Sequence, residues 1–336
     1  MLSSYENVRR AIEFRQPERL PMVSLFPERN DIVGCGWNQI GAGDPKQLQS
    51  YDEWGCGWVR RSDIDMGAIQ FYPLADWTAL TSHRWPDADD PAWYTGMEAK
   101  LAAAQDKYIR TGIFMFLFER MWALRGPENL LLDFNLNPEK VEALADRIVE
   151  FNLGIIDNIS RRFAGRIHGF LSGDDWGTQS GLVISPELWR RFFKPRYKRM
   201  FDAVHRAGWH MWLHSCGKVN SILGDLIELG LDVANVQQPR LMGIEEIGHL
   251  FRGRICFLSQ CDQQKTLLFG TPDEIREEAH LLLERWATPD GGFIFKDYTN
   301  PVRSPYSPEP NSQIMYEAFL THDPWRRRVE ACQPSR

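Results

Sequence analysis

The segment His214-Ser215-Cys216-Gly217 sets an imidazole and a thiol two residues apart. In extended chain, residues two apart share a face, so both groups can reach one metal ion. Zinc accepts nitrogen and sulfur donors, and keeps an open position for catalysis when the protein supplies three ligands. Cys261, in Ser259-Gln260-Cys261-Asp262, is the candidate third ligand. Without metal, His214 would instead bond a carbonyl and Cys216 would pack as a small apolar group. Asp174 and Asp175 lie in Ser172-Gly173-Asp174-Asp175-Trp176-Gly177-Thr178-Gln179. Adjacent side chains diverge in extended chain, so one carboxylate can face a site while the other caps a helix. The site role, as base or charge stabiliser, is assigned to Asp174, with Asp175 and His214 as the other catalytic candidates. Glu119, Gln179, Gln237 and Tyr298 are candidate substrate contacts, although Glu119 beside Arg120 also fits a surface ion pair.

These residues need elements that bring them together. β-rich runs are expected near Leu20–Leu25, Met66–Tyr72, Tyr108–Met115, Ile167–Leu171, Trp209–Leu213, Asp232–Val236, Ile255–Leu258 and Gly292–Phe295. Amphipathic stretches separate most of them. Val141, Leu144, Ala145, Ile148 and Phe151 recur at helical spacing. Ser185-Pro186-Glu187 and Thr271-Pro272-Asp273-Glu274 read as helix starts, the second with a capping-box glutamate. Eight strands with interposed helices predict an α/β fold, a (β/α)8 TIM barrel in which residues 1–336 form one domain. An open doubly wound sheet is the competing fold, but no G-x-G-x-x-G follows a strand and no Walker loop occurs. Chemistry in such barrels sits at the C-terminal ends of the strands, where every candidate above falls. Residues 26–65 and 297–313 are irregular and are expected to be loops over the site.

Composition bounds the function. With 39 basic against 45 acidic residues and a net charge of −6, no basic surface for nucleic acid is expected. No apolar run approaches a membrane span, and the opening Met1–Glu6 lacks a basic region followed by an apolar one. Six cysteines in 336 residues are too few for a disulfide scaffold, so a reducing, cytoplasmic compartment is expected. The 13 tryptophans are assigned to core packing.

Several motifs together resemble the uroporphyrinogen decarboxylase superfamily, and most of all its corrinoid-linked branch, the methylcobamide:coenzyme M methyltransferases. They are Asn7-Val8-Arg9-Arg10-Ala11-Ile12 through Pro17-Glu18-Arg19-Leu20-Pro21, Trp85-Pro86-Asp87, and Gly173-Asp174-Asp175-Trp176-Gly177-Thr178-Gln179. Lys194-Pro195-Arg196, His214-Ser215-Cys216-Gly217 and Phe269-Gly270-Thr271-Pro272 continue the likeness. The resemblance implies a (β/α)8 barrel, zinc as cofactor, a corrinoid (cobalamin) as methyl carrier or substrate, and a corrinoid carrier protein as partner. It implies methyl transfer to a small-molecule acceptor such as a thiol. Two departures stand out. The arginine-rich segment with which true decarboxylases hold porphyrinogen carboxylates is replaced by Ser24-Leu25-Phe26-Pro27-Glu28-Arg29. The late cysteine that completes zinc ligation in the methyltransferases has no counterpart in Gly292–Asp297, so Cys261 or a carboxylate would take its place. A metal-independent lyase is the alternative, with Asp174 or Asp175 as acid and Arg29 or Arg120 holding a substrate carboxylate. A non-catalytic corrinoid-binding module is a third reading.

Overall fold

The computed structural model describes residues 2–39, 47–62, 67–297 and 309–326. Eight parallel strands follow one another around a sheet: β1 (Met22–Val23), β11 (Phe293–Lys296), β10 (Cys256–Ser259), β9 (Val233–Val236), β8 (His210–His214), β7 (Gly169–Gly173), β6 (Tyr108–Ile113) and β2 (Ile32–Gly34). The two edges meet. The Asp31 N–H donates to the Met22 carbonyl at 2.9 Å, and the Met22 N–H donates to the Asp31 carboxylate at 3.0 Å. The sheet therefore closes into the expected (β/α)8 barrel, with helices packed around it. Among the described residues, no helix is long and apolar enough to cross a membrane.

Two predicted features differ. The run Met66–Tyr72 is not a barrel strand; within it β5 (Ala68–Phe71) joins β3 (Gln49–Tyr51) and β4 (Gly57–Val59) in a separate antiparallel sheet. The second barrel strand is β2, only three residues long and inside the segment 26–65 that reads as loop. Residues 40–46, 63–65 and 298–308 of the two expected loops lie outside the described residues.

The core has two layers. Inside the barrel, Tyr108, Trp212, Val233, Cys256, Leu258 and Ile294 pack with Val8 and Ile12 of the helix Ser4–Ile12. That helix seals the N-terminal mouth, where the Gly292 N–H donates to the Ala11 carbonyl at 2.8 Å. Outside the strands, a larger apolar layer meets the helices, and most of the tryptophans are buried there, as expected. Helix Pro272–Trp286 starts with the predicted capping box between Thr271 and Glu274. With one mouth sealed, open space remains at the other end of the barrel.

Candidate functional site

The period-two alternation of a strand decides which residues face that space. On β8, Trp212 belongs to the interior cluster, so His214 points inward and Cys216, two further, follows it. On β7, Leu171 packs against the interior, so Gly173 and then Asp175 point inward while Asp174 points out. On β10, Cys256 and Leu258 are interior, which puts Gln260 inside and Cys261 outside. The same parity turns Asn235 and Gln237 of the β9 segment, Lys296 of β11 and Arg110 of β6 toward the barrel axis.

A cavity of about 850 Å³ occupies this end, with Glu119, Asp175, His214, Cys216, Asn235, Gln237 and Arg110 on its wall. Trp58 and Ile69 of the small sheet line it too, together with Phe114, Met115 and Trp122. The small sheet thus contributes an apolar wall to the barrel mouth.

Three donor atoms converge in the cavity. The metal-binding atoms of Asp175, His214 and Cys216 lie within 4.8 Å of one another. His214 Nε2 is 3.3 Å from Cys216 Sγ and 3.6 Å from Asp175 Oδ1. His214 Nδ1 lies 3.2 Å from the Asn235 carbonyl. A carbonyl can only accept, so Nδ1 carries the hydrogen, and Nε2 of the neutral ring keeps a lone pair facing the cavity. Burial holds the His214 pKa below its ordinary value, which favours this neutral form. Burial and the Asp175 carboxylate push the Cys216 thiol up to about 12. Burial, with Asp175 and Asp174 nearby, raises Glu119 well above the usual carboxylate range. Arg110 is lowered to about 10 by burial, and Lys296 to about 8 by burial and by Arg110.

The two loops that carry the triad are clasped by glycine. The Gly177 N–H donates to the Cys216 carbonyl at 3.1 Å, and the Lys218 N–H to the Thr178 carbonyl at 2.9 Å. A Cβ on Gly217 would sit 2.2 Å from the Gly177 backbone, and its φ of +77° is one that side chains rarely adopt. Glycine there lets the loops touch, and Asp175 Oδ1 then accepts the Cys216 N–H at 2.8 Å.

Several predicted site residues stand elsewhere. Asp174 is fully buried and faces the helix layer. Its carboxylate accepts the backbone N–H groups of Leu117, Phe118 and Glu119 at 3.1, 2.9 and 2.7 Å, and the Tyr197 hydroxyl at 2.5 Å. It caps helix Phe118–Arg125 and is not a base in the cavity; Asp175 holds the inward position. Burial still pushes Asp174 up to about 6, against the pull of those four bonds. Cys261 is buried and turned toward helix Pro272–Trp286, with its Sγ 3.5 Å from the Ile275 carbonyl, so it cannot join His214 and Cys216. Gln179 is exposed and bonds Gln264 at 3.1 Å rather than lining the cavity. Tyr298 lies outside the described residues. Arg120 is buried beneath the small sheet, paired with Asp52 at 2.6 Å. Arg29 lies over the rings of Phe26 and Tyr316, at 4.6 and 4.1 Å. Neither arginine lines the cavity. Glu119 and Gln237 do line it. The sequence reading missed Asn235, which orients His214, and Arg110 and Lys296; strands buried on both faces give no signal of which side is inward.

Known proteins share parts of this sequence and its fold. A stretch of 102 residues is 29% identical to a methylcobamide:CoM methyltransferase MtaA of Methanosarcina barkeri. Another of 103 residues is 31% identical to the MtaA of strain Fusaro. Each match spans 30% of this chain and only 29% of the relative's length. In fold, the chain is similar to a methyltransferase from Methanosarcina mazei, with a TM-score of 0.67 over 95% of this chain and 98% of that one, at 14% identity. Residues 117–296, just over half of the chain, match the family model for uroporphyrinogen decarboxylase (URO-D). That stretch contains Asp175, His214, Cys216 and the strands that carry them, and the chain belongs to the uroporphyrinogen decarboxylase family.

Proposed function

We propose that this protein is a methyltransferase that moves a methyl group between a corrinoid and a thiol-type acceptor seated at Asp175, His214 and Cys216. The observation that carries the reading is the convergence of those three metal-donor atoms, within 4.8 Å, on the wall of the barrel-mouth cavity. Family membership and the partial identity to methylcobamide:CoM methyltransferases support it.

The donor set suits zinc. Bond lengths of about 2.0 Å to nitrogen and 2.3 Å to sulfur, at a tetrahedral angle, separate the two donors by about 3.5 Å. The 3.3 Å between His214 Nε2 and Cys216 Sγ is close to that separation. Asp175 Oδ1 would be the third ligand, in the place where Cys261 or a carboxylate was expected. When bound, zinc supplies positive charge that favours the ionised form of an incoming thiol. The protein's own groups prepare the site. The Asn235 carbonyl holds the His214 ring in the tautomer that presents Nε2. The Cys216 N–H holds Asp175 Oδ1 in place. A thiol raised to about 12 has no reason to ionise here unless a cation compensates, and Cys216 therefore fits a ligand better than a free nucleophile. Glu119, raised well above the usual carboxylate range by burial and by Asp175 and Asp174, can supply a proton at the cavity wall.

The corrinoid is read as arriving on a carrier protein at the cavity mouth. The chain is read as one barrel domain in which segments 26–65 and 297–313 cover the site; Trp58 on the cavity wall supports this for the first segment. The unpaired cysteines fit a reducing, cytoplasmic setting.

The test uses purified protein, methylcobalamin as donor and 2-mercaptoethanol as acceptor, followed by loss of the methylcobalamin absorbance and by elemental analysis. Transfer and near-stoichiometric zinc are expected, both lost when His214 and Cys216 are changed to alanine. Unchanged metal content and rate in that double variant would end the proposal. One observation favours a metal-independent lyase: Glu119, raised well above the carboxylate range beside Asp175, is a candidate acid for protonating a substrate carbon once carbon dioxide has left. Turnover of a carboxylated substrate that persists in chelator would select that reading.

A further inference from the structure

The cavity holds a cation that the proposed chemistry does not use. Arg110 stands at an inward position of β6, and its guanidinium lies 5.5 Å from the ring centre of Trp212 in the barrel interior. Among the described residues its Nη1 is buried without a hydrogen-bond partner. A guanidinium stays charged at any physiological pH, so a buried nitrogen left unpaired is unfavourable unless a ligand supplies the anion.

Space for that anion is built in. Arg110 is in register with Gly34 on the neighbouring strand β2, while on its other side Gly169 is filled by the Tyr108 and Trp212 side chains. A methyl group placed on Gly34 or Gly36 would meet no atom within 4 Å, and both glycines line the cavity. Lys296 points inward from β11 and adds a second positive charge to the same interior. The rest of the wall near the opening is apolar, with Trp58, Ile69 and Trp122.

We propose that Arg110, supported by the charge of Lys296, is a binding subsite for the carboxylate of a small organic acid whose apolar body lies against the Trp58 side of the cavity. This rests on the reading of the cavity as the reaction site and adds the substrate class: the molecule held at Asp175, His214 and Cys216 carries an anionic end. Arginine meets a carboxylate through two parallel hydrogen bonds, which selects an acid over its neutral amide.

The experiment is calorimetric titration of the full chain with cyclohexanecarboxylate and with cyclohexanecarboxamide. The acid is expected to bind at least about 10-fold tighter, the preference lost by removing one charged hydrogen-bonding partner. Arg110→Gln and Arg110→Met should abolish that preference, and Arg110→Lys should keep only part of it. Equal binding of acid and amide, or an acid preference that survives Arg110→Gln, overturns the proposal. Phenylglyoxal labelling of the wild-type protein tests it without relying on a variant that folds. The acid should protect Arg110 and the amide should not; protection by neither or by both overturns it. Elemental analysis and the His214/Cys216 alanine variant keep the two readings apart. An acid preference in protein that carries no zinc supports the subsite and removes the metal. Zinc that depends on His214, with no acid preference, removes the subsite alone.

Discussion

Changing Asp174 and Asp175 to alanine, one at a time, should have opposite effects. Asp174 is fully buried and accepts four hydrogen bonds, three from the first turn of helix Phe118–Arg125 and one from Tyr197. Alanine would strand four donors in the interior. Each buried unsatisfied donor costs about 1–3 kcal/mol, and water entering the vacated space recovers part of that. A loss of about 3–5 kcal/mol is expected for Asp174→Ala, above the roughly 1 kcal/mol of an ordinary helix cap. At about 1.4 °C per kcal/mol for a chain of this length, Tm should fall by about 4–7 °C. Asp175 has a side chain 39% exposed and accepts one backbone N–H, from Cys216. Its alanine variant should lose about 1 kcal/mol or less but most of the bound zinc. Urea denaturation and scanning calorimetry measure the first quantity, and elemental analysis the second. An Asp174→Ala protein within about 1 kcal/mol of wild type, with its metal gone, would refute the parity argument. So would an Asp175→Ala protein that is strongly destabilised and still binds metal.

Cys261→Ala should leave zinc content unchanged, because its Sγ meets the Ile275 carbonyl in the helix layer; a halved metal stoichiometry would restore Cys261 as a ligand. Gly217→Ala should abolish metal binding while most of the fold survives, since the added Cβ forces apart the loops that carry Asp175 and Cys216; elemental analysis and circular dichroism together check this. Arg120→Met should cost about 3–5 kcal/mol in urea denaturation, because it leaves the Asp52 carboxylate buried without its cation. His205 is held above its ordinary 6.5 by its bond to Asp232 at 2.8 Å. The protonated ring is stabilised in the folded state, so its contribution is full below pH 6.5 and fades as pH rises through the higher folded value. His205→Gln should flatten that part of the pH–stability curve, and an unchanged slope would count against the ion pair.

The sequence was informative where chemistry is local. Alternation of β-rich runs with capped amphipathic stretches specified the barrel, and Thr271 with Glu274 marked a helix start that forms as read. The H-x-C spacing put His214 and Cys216 on one face because strand geometry does so wherever the strand lies. The divergence of Asp174 and Asp175 was equally legible, since neighbours in extended chain always part. What could not be read was the phase. Parallel strands buried on both faces carry apolar residues at every position, as Cys256, Phe257 and Leu258 do, so no alternation says which side is inward. Barrel closure chose the phase, turning Asp175 in and Asp174 out, Gln260 in and Cys261 out. It also recruited Ile32–Gly34 as the second strand over the more β-rich Met66–Tyr72, because a three-residue strand paired along its whole length with the six-residue β6 needs little propensity of its own. Residue types and spacing thus determined which chemistry was available, and only the closed tertiary structure decided which of those residues share a cavity, since facing is a property of the whole sheet and not of any one strand.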